Sequence, residues 1–162
     1  MLVHFIAAWF IMQSFRVLAQ LYNVKMFVAL QKMVFAGGKA FNAYMQGKQF
    51  NIGDVLNYGF YTNATWMLGW LTALILSLLI CRRHKWFWLN AVIAFIVLFI
   101  LQRQYYAGWI FLKYIFMAPG DIFHSSFLYL LTNGLLLLVL GLFTFYYKRL
   151  QRFIDGGYLH KE

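Results

Sequence analysis

Acidic residues are scarce in this chain. Only 4 Asp and Glu stand against 14 Lys and Arg, for a formal charge of +10. There is also one cysteine, Cys81, and one proline, Pro119. A lone cysteine excludes an internal disulfide and a cysteine metal cluster. The four histidines are His4, His84, His124 and His160, and no two share one helix at metal-ligand spacing. A zinc or two-haem site from this chain alone is therefore not expected. The phosphate-binding glycine loop, His-Glu-x-x-His and Gly-x-Ser-x-Gly are all missing. The opening "MLVHFIAAWFIMQSF" has no basic leader and no small-residue cleavage site after it, so it reads as a retained segment. These absences argue against an independent enzyme, and no cofactor is expected.

What the chain does have is apolar surface: 64% hydrophobic and 22% aromatic residues, with only 11% charged. A soluble domain is near half apolar and about a quarter charged. A chain of 162 residues cannot hide this excess inside one small globule. Lipid is therefore its expected solvent. The basic residues cluster at the ends of apolar runs, as in "CRRHK" and "YYKRLQR". That placement fits anionic lipid headgroups and the positive-inside rule better than nucleic acid.

The expected fold is all-α: one polytopic integral membrane domain over 1–162, with about four transmembrane helices and an amphipathic interfacial helix. Spans are expected at 61–81, 86–102 and 122–147, the 17 residues of the second being the lower end of what crosses a hydrocarbon core of about 30 Å. Residues 2–23 form a first membrane or interfacial helix, 46–60 a loop rich in Gly and Asn, and 148–162 a polar tail. The short "CRRHK" link forces a hairpin between the first two of those spans. With Lys148, Arg149, Arg152 and Lys161 it places both that turn and the C-terminus on the cytoplasmic or matrix side of a bacterial or mitochondrial inner membrane.

Several polar positions require an explanation. Gln13, Arg16, Gln20 and Asn23 share one face of the first helix, so that face must turn toward protein or lie near the interface. Arg16 is expected to snorkel or to pair with an aspartate. Lys25, Lys32 and Lys39 recur every seven residues along 24–45, the basic edge of an amphipathic helix, which Gly37-Gly38 would kink or end. Together with Arg82 and Arg83 these residues are the candidate contacts to partner subunits or anionic phospholipid. Gly134 and Gly141 lie on one face of the last span, which permits close helix approach, within this chain before any other.

The stretch "FMAPGDIFHSS" is the candidate polar site. Asp121 and His124 are three apart, near Ser125 and Ser126, and could handle a proton or a cation. The plainer reading makes Pro119-Gly120 a turn and Asp121 the N-cap of the last helix.

The expected function is a non-catalytic accessory or scaffold subunit of a larger membrane assembly, respiratory, ATP-synthase, secretory or transport, packing on other integral-membrane subunits and lipid. The alternative is a small transporter or channel subunit with Arg16, Asp54, Asp121 and His124 along its path. A lipid-modifying enzyme with His124 as base is the weakest reading, because spacing fixes no second catalytic group.

Overall fold

A computed structural model describes residues 2–81, 89, 92, 93, 95, 96, 100 and 118–146, and all of their regular structure is helical. The elements are α1 (Leu2–Ala19), a 3-10 turn (Gln20–Asn23), α2 (Val24–Gly47), α3 (Ile52–Cys81), a second 3-10 turn (Ala118–Ile122) and α4 (Ser126–Tyr146). Three helical stretches are long and apolar enough to cross a membrane: Phe5–Lys32, Ile52–Leu79 and Ser126–Tyr146. The span expected over 86–102 lies largely outside the described residues. Those of its residues that are described are helical.

The bundle is built around α1. Every residue from Ala7 to Ser14 is buried, and so is Val17. A helix covered on all sides has no room for a polar face, and Gln13 is only 4% exposed. The polar stripe foreseen on this helix thus resolves inward at Gln13.

Within a bilayer, lipid tails are as apolar as leucine, so helices associate through close packing and interhelical hydrogen bonds. Both appear at the seam between α1 and α4. A Cβ on Gly141 would lie 2.6 Å from Ile11 Cγ1 and 3.2 Å from the Ala7 carbonyl oxygen and the Ile11 nitrogen. A Cβ on Gly134 would run into the Leu18 side chain. Beside it, the Ser14 hydroxyl donates to the Gly134 carbonyl at 2.7 Å. Ala7, Ile11, Ser14 and Leu18 follow spacings of four, three and four, which is one helix face. As numbering rises along α1 it falls along α4, so the two helices are antiparallel. Packing of Gly134 and Gly141 is within the chain.

The seam between α1 and α3 uses the same device. A Cβ on Gly69 would sit 2.8 Å from Phe15 Cβ and 3.2 Å from Met12 Cα. Tyr22 stacks on Tyr61 with centroids 4.4 Å apart. These contacts make α3 antiparallel to α1 as well. Its buried face is Tyr58, Thr62, Trp66, Gly69, Ala73 and Ser77. Gly69 is buried on that face, whereas Asn63 is exposed.

Since α3 and α4 both run against α1, the chain between them returns from one end of the bundle to the other. One described contact belongs to that return. Trp70 Nε1 donates to the Phe95 carbonyl at 3.3 Å, and the two rings meet edge to face.

The loop expected over 46–60 is confined to residues 48–51, because two capping motifs meet there. At the end of α2, Phe50 N–H donates to the Met45 carbonyl and Gln49 N–H to the Gln46 carbonyl, both at 3.1 Å. With Gln49 at φ 56° this is a Schellman stop. Immediately after it, Asp54 N–H donates to Asn51 Oδ1 at 2.9 Å and Asn51 N–H donates to Asp54 Oδ2 at 2.8 Å. That reciprocal pair is a capping box, and it starts α3 at Ile52. Gly53, Asn57 and Gly59 are consequently helical residues despite their turn-like composition.

Inside α2 the backbone breaks at Gly37, at φ 81° and ψ 173°. Only glycine adopts that conformation readily. Twelve residues of straight helix would separate Lys32 from Tyr44 by about 18 Å. Instead Lys32 Nζ sits 4.5 Å from the centre of the Tyr44 ring, so the two halves of α2 bend toward each other at Gly37.

Candidate functional site

Asp121 and His124 come together at the end of the bundle where α1 stops and α4 begins. The turn carrying them does not cap α4 through Asp121, as the sequence suggested. Asp121 lies within the 3-10 turn Ala118–Ile122, which Phe123 N–H closes onto the Gly120 carbonyl at 3.1 Å. Helix α4 begins four residues later than expected, at Ser126. The Ser125 carbonyl accepts the first intrahelical bond, from Tyr129 N–H at 2.9 Å, so Ser125 holds the capping position.

The turn is fixed from below by Asn133. This side chain, fully buried within α4, accepts from Gly120 N–H through Oδ1 at 3.0 Å. Its amide lies so close that any Cβ on Gly120 would collide with it. A buried backbone amide without a partner is costly, so this bond ties the turn to the helix it precedes.

Phe27 and Gln31 of α2 face the turn from the other side. Together with Asp121, Phe123, His124, Ser126 and Tyr129 they line an open cleft of about 320 Å³. Phe27 and Tyr129 form one wall, their rings near-parallel at 22° and 6.2 Å apart. Among the described residues neither Asp121 nor His124 makes a hydrogen bond or an ion pair within the chain. Asp54, by contrast, is engaged in the capping box at the start of α3. No group of three His, Cys, Asp or Glu among the described residues is placed to hold a metal ion.

The remaining candidates are dispersed. Gln13 is inside the bundle, whereas Arg16 and Gln20 are half-buried near the end of α1, with Arg16 within electrostatic reach of Tyr58. Lys25, Lys32 and Lys39 are exposed along α2, and Lys32 is held over Tyr44. Arg82 and Arg83 lie outside the described residues. Sequence reasoning paired Asp121 with His124 but missed Phe27, Gln31, Tyr129 and the positioning role of Asn133. The spacing of four between Phe27 and Gln31 was a signal of a shared face. Nothing in the sequence indicated which element that face meets. Comparison with protein families, with curated proteins and with solved structures finds no match for this chain.

Proposed function

We propose that this chain is a non-catalytic accessory or scaffold subunit of a larger integral-membrane assembly. The observation that carries the reading is how the bundle distributes its residues. Ser14, Gly69, Gly134 and Gly141 are placed in the internal seams, while α3 also turns a row of large apolar side chains outward. On α3 the outward stripe is Leu56, Phe60, Met67, Leu71, Ile75 and Leu79, each 44% exposed or more. It extends about 35 Å along the helix, enough to match a whole hydrocarbon core. An outward face of that length, apolar except at Asn63, suits lipid and the helices of other subunits. The exposed lysines of α2 supply a basic rim that suits anionic headgroups.

The membrane is a bacterial or mitochondrial inner membrane in this reading. Cys81 and Tyr146 lie at one end of the bundle, so the basic segments that follow them share a side, the cytoplasmic or matrix side by their charge.

Gentle extraction followed by sizing and mass spectrometry tests the reading. Stoichiometric membrane partners are the expected result. A chain that runs alone as a monomer or small homo-oligomer refutes it. The transporter or channel alternative has one observation on its side, the shared cleft of Asp121 and His124. It predicts that Asp121→Asn or His124→Ala abolishes flux through an assembly that stays intact.

A further inference from the structure

We propose that the cleft between α2 and the start of α4 binds the ammonium headgroup of a phospholipid, with phosphatidylethanolamine as the best fit. The inference rests on the reading above that the chain lies in a membrane, and it adds a ligand class and the residues that select it.

Charge is the first argument. In a chain of +10, a carboxylate in a cleft is a local reversal of sign. Of the two described carboxylates, Asp54 is engaged with Asn51, whereas Asp121 is exposed and has no partner among the described residues. Among the described residues no lysine or arginine lines the cleft, where His124 is the one basic side chain. The second argument is the wall. Phe27, Phe123 and Tyr129 surround the same space, and aromatic faces attract organic cations. A carboxylate beside three rings is a set that favours ammonium over phosphate.

The third argument is that the rest of a zwitterionic headgroup also finds a match. Ser126 lines the cleft and opens α4. The amides that precede Tyr129 N–H in that first turn have no intrahelical acceptor, and they suit the phosphate that follows the ammonium in this lipid. Gln31 offers a carbonyl to a primary ammonium's N–H, which favours ethanolamine over choline. A volume of about 320 Å³ accepts a headgroup and leaves the acyl chains outside. The cleft is also preset in its backbone, since the buried bond from Gly120 to Asn133 fixes the turn that carries Asp121. It lies where the spans Phe5–Lys32 and Ser126–Tyr146 end, which sets it near headgroup depth in a membrane.

The test uses the full chain in nanodiscs of phosphatidylethanolamine, phosphatidylcholine or phosphatidylglycerol, followed by delipidation and native mass spectrometry. The wild type is expected to retain one phosphatidylethanolamine in preference to phosphatidylglycerol. Asp121→Asn, a change at an exposed position, is expected to lower that preference roughly tenfold. Phe27→Leu should lower it less and leave the bundle folded. Equal retention of phosphatidylethanolamine and phosphatidylglycerol by the wild type overturns the proposal, as does an unchanged preference in Asp121→Asn. Phosphoethanolamine and free ethanolamine are added as soluble competitors. If either displaces the lipid at equal concentration, the ligand is a soluble ammonium compound and the lipid assignment fails. Partner proteins are scored on the natively extracted wild type and Asp121→Asn. A wild type that keeps its assembly but shows no lipid preference refutes the site alone, and a wild type that keeps the preference but extracts without partners refutes the subunit reading alone.

Discussion

The seam between α1 and α4 can be tested with three alanines. Gly59, Gly134 and Gly141 are all helical, so alanine should gain about 0.5–1 kcal/mol at each from backbone entropy alone. Their surroundings differ. Nothing lies within 4 Å of a Cβ on Gly59, so Gly59→Ala should keep the whole gain. At Gly134 the obstacle is the end of the Leu18 side chain, which can swing, and the nearest backbone atom is 3.5 Å away. Gly134→Ala should come out near neutral. At Gly141 two backbone atoms of α1 stand at 3.2 Å and cannot rotate away, so the helices must separate. Overpacking of this kind costs about 1–3 kcal/mol, leaving Gly141→Ala about 1 kcal/mol less stable than the wild type. Thermal unfolding in a mild detergent, followed by tryptophan fluorescence, should rank Gly59→Ala above Gly134→Ala and Gly134→Ala above Gly141→Ala. The extremes should differ by roughly 5 °C at this chain length. If Gly141→Ala melts at or above Gly59→Ala, the close approach of α1 and α4 is wrong.

Three further outcomes are expected. Ser14→Ala removes the hydrogen bond to the Gly134 carbonyl and should cost about 0.6 kcal/mol, the average for such bonds between membrane helices, in the same unfolding assay. Gln49→Gly relieves a left-handed residue and should stabilise by about 1 kcal/mol, whereas Asn51→Ala breaks the capping box beside it and should cost about as much. In a Cys81→Ser background, cysteines at Lys48 and Tyr146 should react with a membrane-impermeant maleimide from opposite faces of sealed vesicles. Labelling of both from one face would refute the antiparallel arrangement.

The sequence made some of this architecture legible and concealed the rest for physical reasons. Gly134 and Gly141 could be read because a seam of small residues leaves a heptad spacing on one helix face. Gly37 could be read because few other residues accept its backbone. The central place of α1 could not. A helix buried all round shows no apolar stripe, so Ala7 to Ser14 look the same whether lipid or protein surrounds them. The start of α3 was hidden by composition: Gly53, Asn57 and Gly59 read as loop, although Asn51 and Asp54 carry the spacing of a capping box. At the cleft, Asp121 and His124 stood out as rare residue types three positions apart. Phe27 and Tyr129 reach it through tertiary packing alone, which no local pattern encodes.

The bond between Ser14 and Gly134 joins residues that are far apart in the time of synthesis as well as in sequence. Helix α1 leaves the ribosome long before α4 exists. At about 5–20 residues per second, the 120 residues between the two partners take on the order of ten seconds to make. Throughout that interval the helix destined for the middle of the bundle has its closest-packed face uncovered, and the Ser14 hydroxyl can turn only to a carbonyl of its own helix, as Thr62 and Thr144 do in theirs. The bond to Gly134 is therefore made by exchange, when the glycine face of α4 takes the place of lipid against α1.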